Sequence, residues 1–512
     1  MKMKRALISL SDKSNLAEFA KELVSLGYEI ISTGGTLDAL KKAKIPAKAV
    51  SSVTEFPEIM NGRVKTLHPK IFGGILAIPT NEDHVKQAKE NDIAFFDLVA
   101  VNLYPFEKTI NNPMSDWNEK IENIDIGGPS LIRAAAKNYQ FVNILTDPND
   151  YTLIIDELKK NQCTTIETRE YLAHKAFSHT AAYDSLIADT FRKEYKHKNE
   201  NILTIGKPIK LRLRYGENPH QNAGFYESQY DNIIEVVHGK QPSYNNYLDI
   251  DSALKLIINF DEKAVAIIKH TNPSGVATAD TLLDAYEKAF ATDTISPFGG
   301  IVIVNDTLDL ECAKAINKVF TEIIIAPALD NDVLDFLKKK KDRRIVVYKK
   351  EELYKLKSHR NVVSCLNGYL CQEIDNVDIN NEKWSYVTNE IPSEENLRSL
   401  LFAWKVVAKA KSNAICLAKG TQTIGLGIGQ TSRVDAMKIA LDRAEEMGFD
   451  LQDAVCASDG FFPKTDSLEL LAKKGIRAVI QPGGSVADQD VIDCCNQAEV
   501  AMVLTGTRHF RH

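Results

Sequence analysis

The sequence predicts an α/β protein whose first part is built on a largely parallel sheet. Short apolar runs alternate with stretches of helical period along most of its 512 residues. The composition, 44% hydrophobic and 26% charged, suits a chain that builds full-sized cores. The length fits two to four domains at roughly 100–200 residues each.

The elements follow in order. Residues 6–10 form a short apolar strand candidate, and Ser11 or Asp12 can cap a helix with Leu16, Phe19, Leu23 and Val24 on its buried face, ending near Gly27. A strand at 28–31 leads through Thr33-Gly34-Gly35-Thr36 into a second helix. A third strand is expected at 97–101, a helix opened by Gly127-Gly128-Pro129, a strand at 141–145, and mostly helix over 165–195. The polar, lysine-rich stretch 193–201 divides the chain into expected domains 1–200 and 201–512. Beyond it come strands at 264–268, 301–304 and 323–325 and a helix at 281–290. A polar stretch at 375–395 marks a possible subdivision, followed by elements at 413–419, 424–429, after Ser432, 476–480 and 500–504. No internal repeat is visible by residue identity.

Composition removes several function classes. A net charge of −6 argues against a nucleic-acid or anionic membrane surface, and leaves room for a basic pocket for a small anion. Eight sparse cysteines, with no C-x-x-C, read as reduced thiols of a cytoplasmic protein. The apolar run after the basic first five residues is too short for a signal peptide, and no stretch approaches the ~20 apolar residues of a membrane span. The basic run at 338–344 reads as a solvated helix end.

Three early loops combine small, hydroxylated and basic residues: Ser11-Asp12-Lys13, Thr33-Gly34-Gly35-Thr36 and Arg63-Val64-Lys65-Thr66. Phosphate binding needs that mixture of free backbone N–H groups, close-approach glycines and a cation. Tyr104, in Val101-Asn102-Leu103-Tyr104-Pro105-Phe106, stands at an expected strand end, where open α/β sheets bind ligands. Asp125-Ile126-Gly127-Gly128 precedes a helix, and Lys137 ends it, where a cation also suits the helix dipole.

Arg63 to Pro69, Asn102 to Phe106 and Asp125 to Gly128 resemble the inosine monophosphate cyclohydrolase part of the bifunctional purine biosynthesis family. The resemblance implies a methylglyoxal-synthase-like fold and dehydrative closure of a formylated aminoimidazole carboxamide ribonucleotide. It implies Lys137 as proton donor or acceptor, with Lys65, Tyr104 and Asp125 around the base. The three loops, with Val101, Asn102 and Ile126, would hold the rest of the nucleotide.

In the second part, Leu213-Arg214-Tyr215-Gly216-Glu217-Asn218-Pro219-His220-Gln221 offers an arginine for a phosphate and an aromatic for a base. Lys269-His270-Thr271-Asn272-Pro273-Ser274-Gly275 follows a buried strand, and a histidine there, with an ordinary pKa of about 6.5, suits proton transfer. Gly425-Leu426-Gly427-Ile428-Gly429 invites a dinucleotide reading, hence an oxidoreductase, but Gln430 stands where the last glycine should fall. The terminal Thr507-Arg508-His509-Phe510-Arg511-His512 reads equally as a free end or a docked, ligand-binding tail.

Arg214 to Gln221, Lys269 to Gly275, Ser412-Asn413, Gly429 to Arg433 and Ser458 to Pro463 resemble the transformylase part of the same family. The resemblance implies two cytidine-deaminase-like halves and formyl transfer from 10-formyltetrahydrofolate to 5-aminoimidazole-4-carboxamide ribonucleotide. By it, His270 accepts a proton, Lys269 stabilises charge and Asn413 orients the acceptor. Arg214, Tyr215, Asn246, Gly299, Glu322, Arg433 and Arg508 would hold the nucleotide, Glu322 standing where vertebrate members have a shorter carboxylate. Val434, Phe461, Asp466, Ser485 and Val486 would line the folate side. The deaminase zinc signature is absent, so no catalytic metal is expected. The family further implies a homodimer and a possible structural monovalent cation. A nucleotide-sensing regulator is the alternative; it needs phosphate contacts but not the group Lys65, Tyr104, Asp125 and Lys137.

Overall fold

The computed structural model describes residues 3–195, 201–227, 233–357, 359–377 and 384–512. Parts of the two polar stretches expected to divide the chain, 196–200 and 378–383, lie outside the described residues. The chain forms two compact units, Met1–Pro208 with Tyr226–Tyr230, and Ile209–Phe225 with Asp231–His512. No helix among the described residues is long and apolar enough to cross a membrane.

The first unit is a five-stranded sheet in the order β3-β2-β1-β4-β5, every pairing parallel. Its strands are β1 (Lys4–Leu10), β2 (Tyr28–Ser32), β3 (Lys48–Ala49), β4 (Leu98–Asn102) and β5 (Asn143–Leu145). Ala6, Leu7 and Ile8 are wholly buried because helices cover both faces, which is why these strands read as unbroken apolar runs. Helix Leu16–Ser25 buries Leu16, Phe19 and Leu23 as its spacing predicts.

Two pairs of strands stand apart: β6 (Ile209–Leu213) with β7 (Ala223–Tyr226), and β14 (Arg360–Cys365) with β15 (Gly368–Glu373). The main sheet of the second unit has twelve strands, parallel and antiparallel pairings mixed. One half runs β8 (Ile234–His238), β13 (Arg344–Tyr348), β12 (Thr321–Ala326), β11 (Gly300–Val304), β9 (Ala264–Lys269), β10 (Asn272–Thr278). The other runs β16 (Ser385–Tyr386), β21 (Ala501–Leu504), β20 (Ala478–Gln481), β19 (Val455–Ser458), β17 (Ile415–Lys419), β18 (Gln422–Gly427). Each half has the same pairing sense from edge to centre: antiparallel, parallel, parallel, antiparallel, antiparallel. The halves meet where β10 pairs antiparallel with β18.

This is the internal repeat that residue identity conceals. Ser243, Asn246, Ala264, Lys269 and Gly275 recur as Ser393, Asn396, Ala414, Lys419 and Gly425, each 150 positions later. Ser243 and Ser393 cap their helices alike, each hydroxyl accepting an amide proton from the asparagine three residues on, at 3.2 Å. Gly275 and Gly425 let a helix carbonyl approach; an added Cβ would lie 1.9 Å from the Ala289 carbonyl oxygen or 2.2 Å from that of Ala440.

Residues 269–275 turn tightly from β9 into β10, with Lys269 paired to Asn272. Both turn residues are left-handed, His270 at φ 50° and Thr271 at φ 64°. Such turns normally carry Asn-Gly, so His-Thr gives no hairpin signal.

Candidate active sites

A cavity of about 690 Å³ opens at the carboxyl ends of β1, β2 and β4. It lies where the strand order reverses between β1 and β4, the position at which open α/β sheets bind ligands. Ser11, Lys13, Thr33, Gly34, Gly35, Thr36, Arg63, Val64, Lys65, Thr66, Val101, Asn102, Tyr104, Asp125 and Ile126 all line it. Helices Gly34–Lys42 and Gly127–Lys137 both begin there, the first with no side-chain cap on its N–H groups and the second with its Gly128 N–H taken by Asp125. Those donors and the positive helix ends favour an anion.

Some of these side chains build the walls. Asn102 Oδ1 accepts from the Ser11 and Asp12 amides at 2.6 and 3.0 Å, and its Nδ2 donates to the Asp12 carbonyl at 2.8 Å. The Thr36 hydroxyl is spent on the backbone of Leu10. Lys65 Nζ donates to Tyr104 Oη at 3.4 Å. Asp125 Oδ1 accepts the Gly128 amide proton at 2.7 Å, and the Asp125 amide donates to Tyr183 Oη at 2.8 Å. Burial pushes the Asp125 carboxyl above its ordinary range, opposed by the Gly128 and Tyr104 amides and the Lys65 cation. Tyr183, from helix Ile166–Tyr195, is a support that sequence reading missed.

Two expected residues stand apart. Asp12 turns its carboxylate to the Ser14 amide and hydroxyl, at 2.9 and 2.6 Å. Lys137 is exposed at the far end of its 11-residue helix, about 15 Å from the cavity end at 1.5 Å per residue. It does not line the cavity.

In the second unit the His270–Thr271 turn is the centre of a polar cluster. Lys269 Nζ donates to the Phe298 carbonyl at 2.6 Å, beside Gly299, where an added Cβ would lie 3.4 Å from that nitrogen. Asn246 Nδ2 donates to Glu322 Oε1 at 3.2 Å, and Arg344 Nη1 donates to the same oxygen at 3.0 Å. Arg344 belongs to the run read as a solvated helix end; instead it begins β13 and serves the cluster. Asp249 Oδ1 accepts from the Thr271 amide at 2.6 Å, and burial raises its carboxyl against the pull of that amide, His270 and Lys269. The loop 214–221 reaches the same helix start, Asn245 Nδ2 donating to the Glu217 carbonyl at 3.3 Å, with Arg214 lying over the Tyr215 ring.

The two halves join at the cluster. Asn272 Oδ1 accepts the Lys411 amide proton at 3.0 Å, which brings the turn to Ser412 and Asn413. Asn413 is gripped by Arg433 Nη2 at 2.7 Å and by the Gln430 carbonyl at 2.9 Å. The chain end is docked: the His509 amide donates to the Asp459 carbonyl at 3.0 Å, and its Nδ1 meets Asp375 Oδ2 at 2.8 Å. Arg508 lies over the Phe510 ring. Phe461, Ser485 and Val486 follow β19 and β20, while Val434 and Asp466 stand at helix starts. Asp466 accepts the Ser467 amide proton at 2.7 Å and Ser485 Oγ that of Ala487 at 3.1 Å, both within their own segments. Among the described residues no group of three or more His, Cys, Asp or Glu is gathered to hold a metal ion.

An anion-ready cavity at a sheet switch point and a separate lysine–histidine–asparagine cluster define an α/β enzyme with two chemically different centres. Comparison with known proteins makes this particular. The AICARFT/IMPCHase bienzyme model matches residues 135–443, and the MGS-like domain model matches residues 15–130. The bifunctional purine biosynthesis protein PurH of Chlorobaculum parvum is 50% identical over 521 residues, covering 100% of this chain and 99% of the relative. That of Caldicellulosiruptor saccharolyticus is 48% identical over 517 residues, covering 99% and 100%. The chain belongs to the AICARFT/IMPCHase bienzyme family.

Proposed function

We propose how one chain of this family divides two consecutive reactions between its units. The chain is a bifunctional enzyme of purine biosynthesis, a formyltransferase and a cyclohydrolase. In our reading the second unit transfers the formyl group and the first closes the ring.

For transfer, the 5-amino nitrogen of 5-aminoimidazole-4-carboxamide ribonucleotide attacks the formyl carbon of 10-formyltetrahydrofolate. His270 takes the amine proton as the new C–N bond forms, and Lys269 stabilises the oxyanion. The tetrahedral adduct then breaks its bond to the folate nitrogen, which leaves as tetrahydrofolate with a proton. Asn413 orients the acceptor; Arg214, Tyr215, Asn246, Glu322 and Arg508 hold the nucleotide; and Phe461, Asp466, Ser485 and Val486 face the folate. What supports this most is the link from Asn272 to Lys411, because it ties the Lys269–His270 turn to Asn413 across the repeat.

For closure, the carboxamide nitrogen attacks the new formamide carbonyl carbon, and water leaves. The substrate already holds both groups together, an advantage worth roughly 7–11 kcal/mol. Lys65, Tyr104 and Asp125 surround the base, and the three loops hold the phosphate. The proton-transfer role that the family gives Lys137 calls for a second copy of the chain to bring it to the cavity, as a homodimer would.

In the full chain, His270→Ala is expected to lower formyl transfer by about 10²–10⁴-fold and leave closure of the formylated nucleotide unchanged. Equal loss of both activities in folded protein would overturn the division.

A further inference from the structure

We propose that Arg511, the penultimate residue, is a positioning residue for formyl transfer, its guanidinium fixing the His270–Thr271 turn against the Ser412–Asn413 loop. The inference rests on the roles given above to His270 and Asn413.

The tail is first pinned by its backbone. The Ser412 amide donates to the Arg511 carbonyl at 2.8 Å, and the Arg511 amide donates to Ser412 Oγ at 3.1 Å. The side chain then spans three segments distant in sequence. Nη1 donates to the Thr271 carbonyl at 3.0 Å and to the Lys409 carbonyl at 2.6 Å, and Nη2 donates to Ser252 Oγ at 2.7 Å. One planar fork therefore joins helix Tyr244–Ile257, the His270 turn and the strand of chain leading into Asn413.

The turn needs such a clamp. His270 and Thr271 both hold positive φ, and for a β-branched residue that conformation is strained and persists only where its surroundings impose it. Thr271 is held on both sides, its amide by Asp249 and its carbonyl by Arg511. In the repeat, Gly420 stands at the position of His270 and takes φ 58° at no steric cost. The half that places a histidine at this position is the half that carries the clamp. A lysine cannot replace it, since one ammonium lacks the fork that reaches Thr271 and Ser252 together.

The test uses the full-length enzyme. Arg511→Ala is expected to lower kcat for formyl transfer about 10- to 100-fold through misplacement of His270, with KM for the nucleotide little changed. Closure of the formylated nucleotide should keep its rate. Millimolar guanidinium ion should restore part of the lost kcat, and Arg511→Lys should recover less activity than the arginine. Unchanged kcat overturns the proposal. So does a loss confined to KM, which would mean that the tail only carries Arg508. A loss of kcat that guanidinium does not rescue, accompanied by a lowered thermal midpoint, overturns it as well. His270→Ala run in parallel separates the levels: if it spares transfer, the reading of His270 fails, whereas loss there with unchanged Arg511→Ala sinks only the clamp.

Discussion

Arg433 Nη2 donates to Asn413 Oδ1 at 2.7 Å while Nη1 of the same guanidinium pairs with Asp459, a carboxylate with no exposed surface. The Asp459 charge also receives the Ser412 hydroxyl at 2.5 Å, so Arg433, Asp459, Ser412 and Asn413 form one network. Removing one partner of a buried ion pair leaves a charge without compensation. Arg433→Met should therefore destabilise the protein by about 3–5 kcal/mol in denaturant unfolding. Adding Asp459→Asn should recover part of that loss. A cost confined to the nucleotide KM would instead make Arg433 a ligand contact alone.

Asp125 carries an opposite tension. Its folded pKa is raised by burial, so the folded state binds the proton more tightly than the unfolded chain. Stability from this group is full below its unfolded pKa and is lost as pH rises through the folded one. At neutral pH the ionised carboxylate is thus a cost. Asp125→Asn keeps an oxygen for the Gly128 amide, and should raise the thermal midpoint at pH 7 while abolishing ring closure. A lowered midpoint would refute this account.

Lys409 titrates the other way. Burial lowers its pKa to about 8, opposed by Asp375 and assisted by Arg511 and Lys255, although its Nζ donates to the Asp375 carbonyl at 2.6 Å. Between that value and the ordinary one near 10.5 the unfolded chain binds more protons, so stability rises with pH across this window. Unfolding free energies measured from pH 7 to 10 should climb less in Lys409→Met than in the parent protein. Parallel slopes would show that the amine is solvated.

The repeat makes a paired prediction. Gly275→Ala and Gly425→Ala should each destabilise by about 1–3 kcal/mol or more, because a helix backbone carbonyl would have to move. Gly420→Ala has open space around its Cβ but a left-handed backbone, and should cost less. Chemical denaturation of the three variants ranks them; a neutral Gly275→Ala would contradict the close approach.

Lys137 offers a test of assembly. If it acts in a neighbouring copy's cavity, Lys137→Ala and Lys65→Ala should each lose ring closure, and mixed subunits of the two should regain part of it. Mixtures as inactive as their parents would exclude action across copies, and an unimpaired Lys137→Ala would remove Lys137 from the mechanism.

Much of the site was legible because its chemistry is written in contiguous motifs. Ser11 to Lys13, Thr33 to Thr36 and Arg63 to Thr66 advertised a phosphate cavity from residue types alone, and the fold brings all three loops to one strand edge. Lys269 and His270 were recognisable at a strand end. Their turn was not, since two left-handed residues named His and Thr carry no local turn signal. Asp249, Arg344 and Tyr183 escaped for a different reason. Each acts on a residue far away in the chain, and nothing in its own neighbourhood marks it.

By itself the sequence determined the α/β character, the parallel first sheet and the motifs from which the candidate site residues are read, because apolar periodicity and motif chemistry are local properties. Only the tertiary structure decided which strands of the second sheet run parallel and which antiparallel, since strand sense depends on pairing between distant segments. It also decided that the terminal Arg511 is buried against Thr271, Lys409 and Ser252. A free end and a clamp have the same residues, and the difference lies in which backbone carbonyls the fold leaves waiting for a donor.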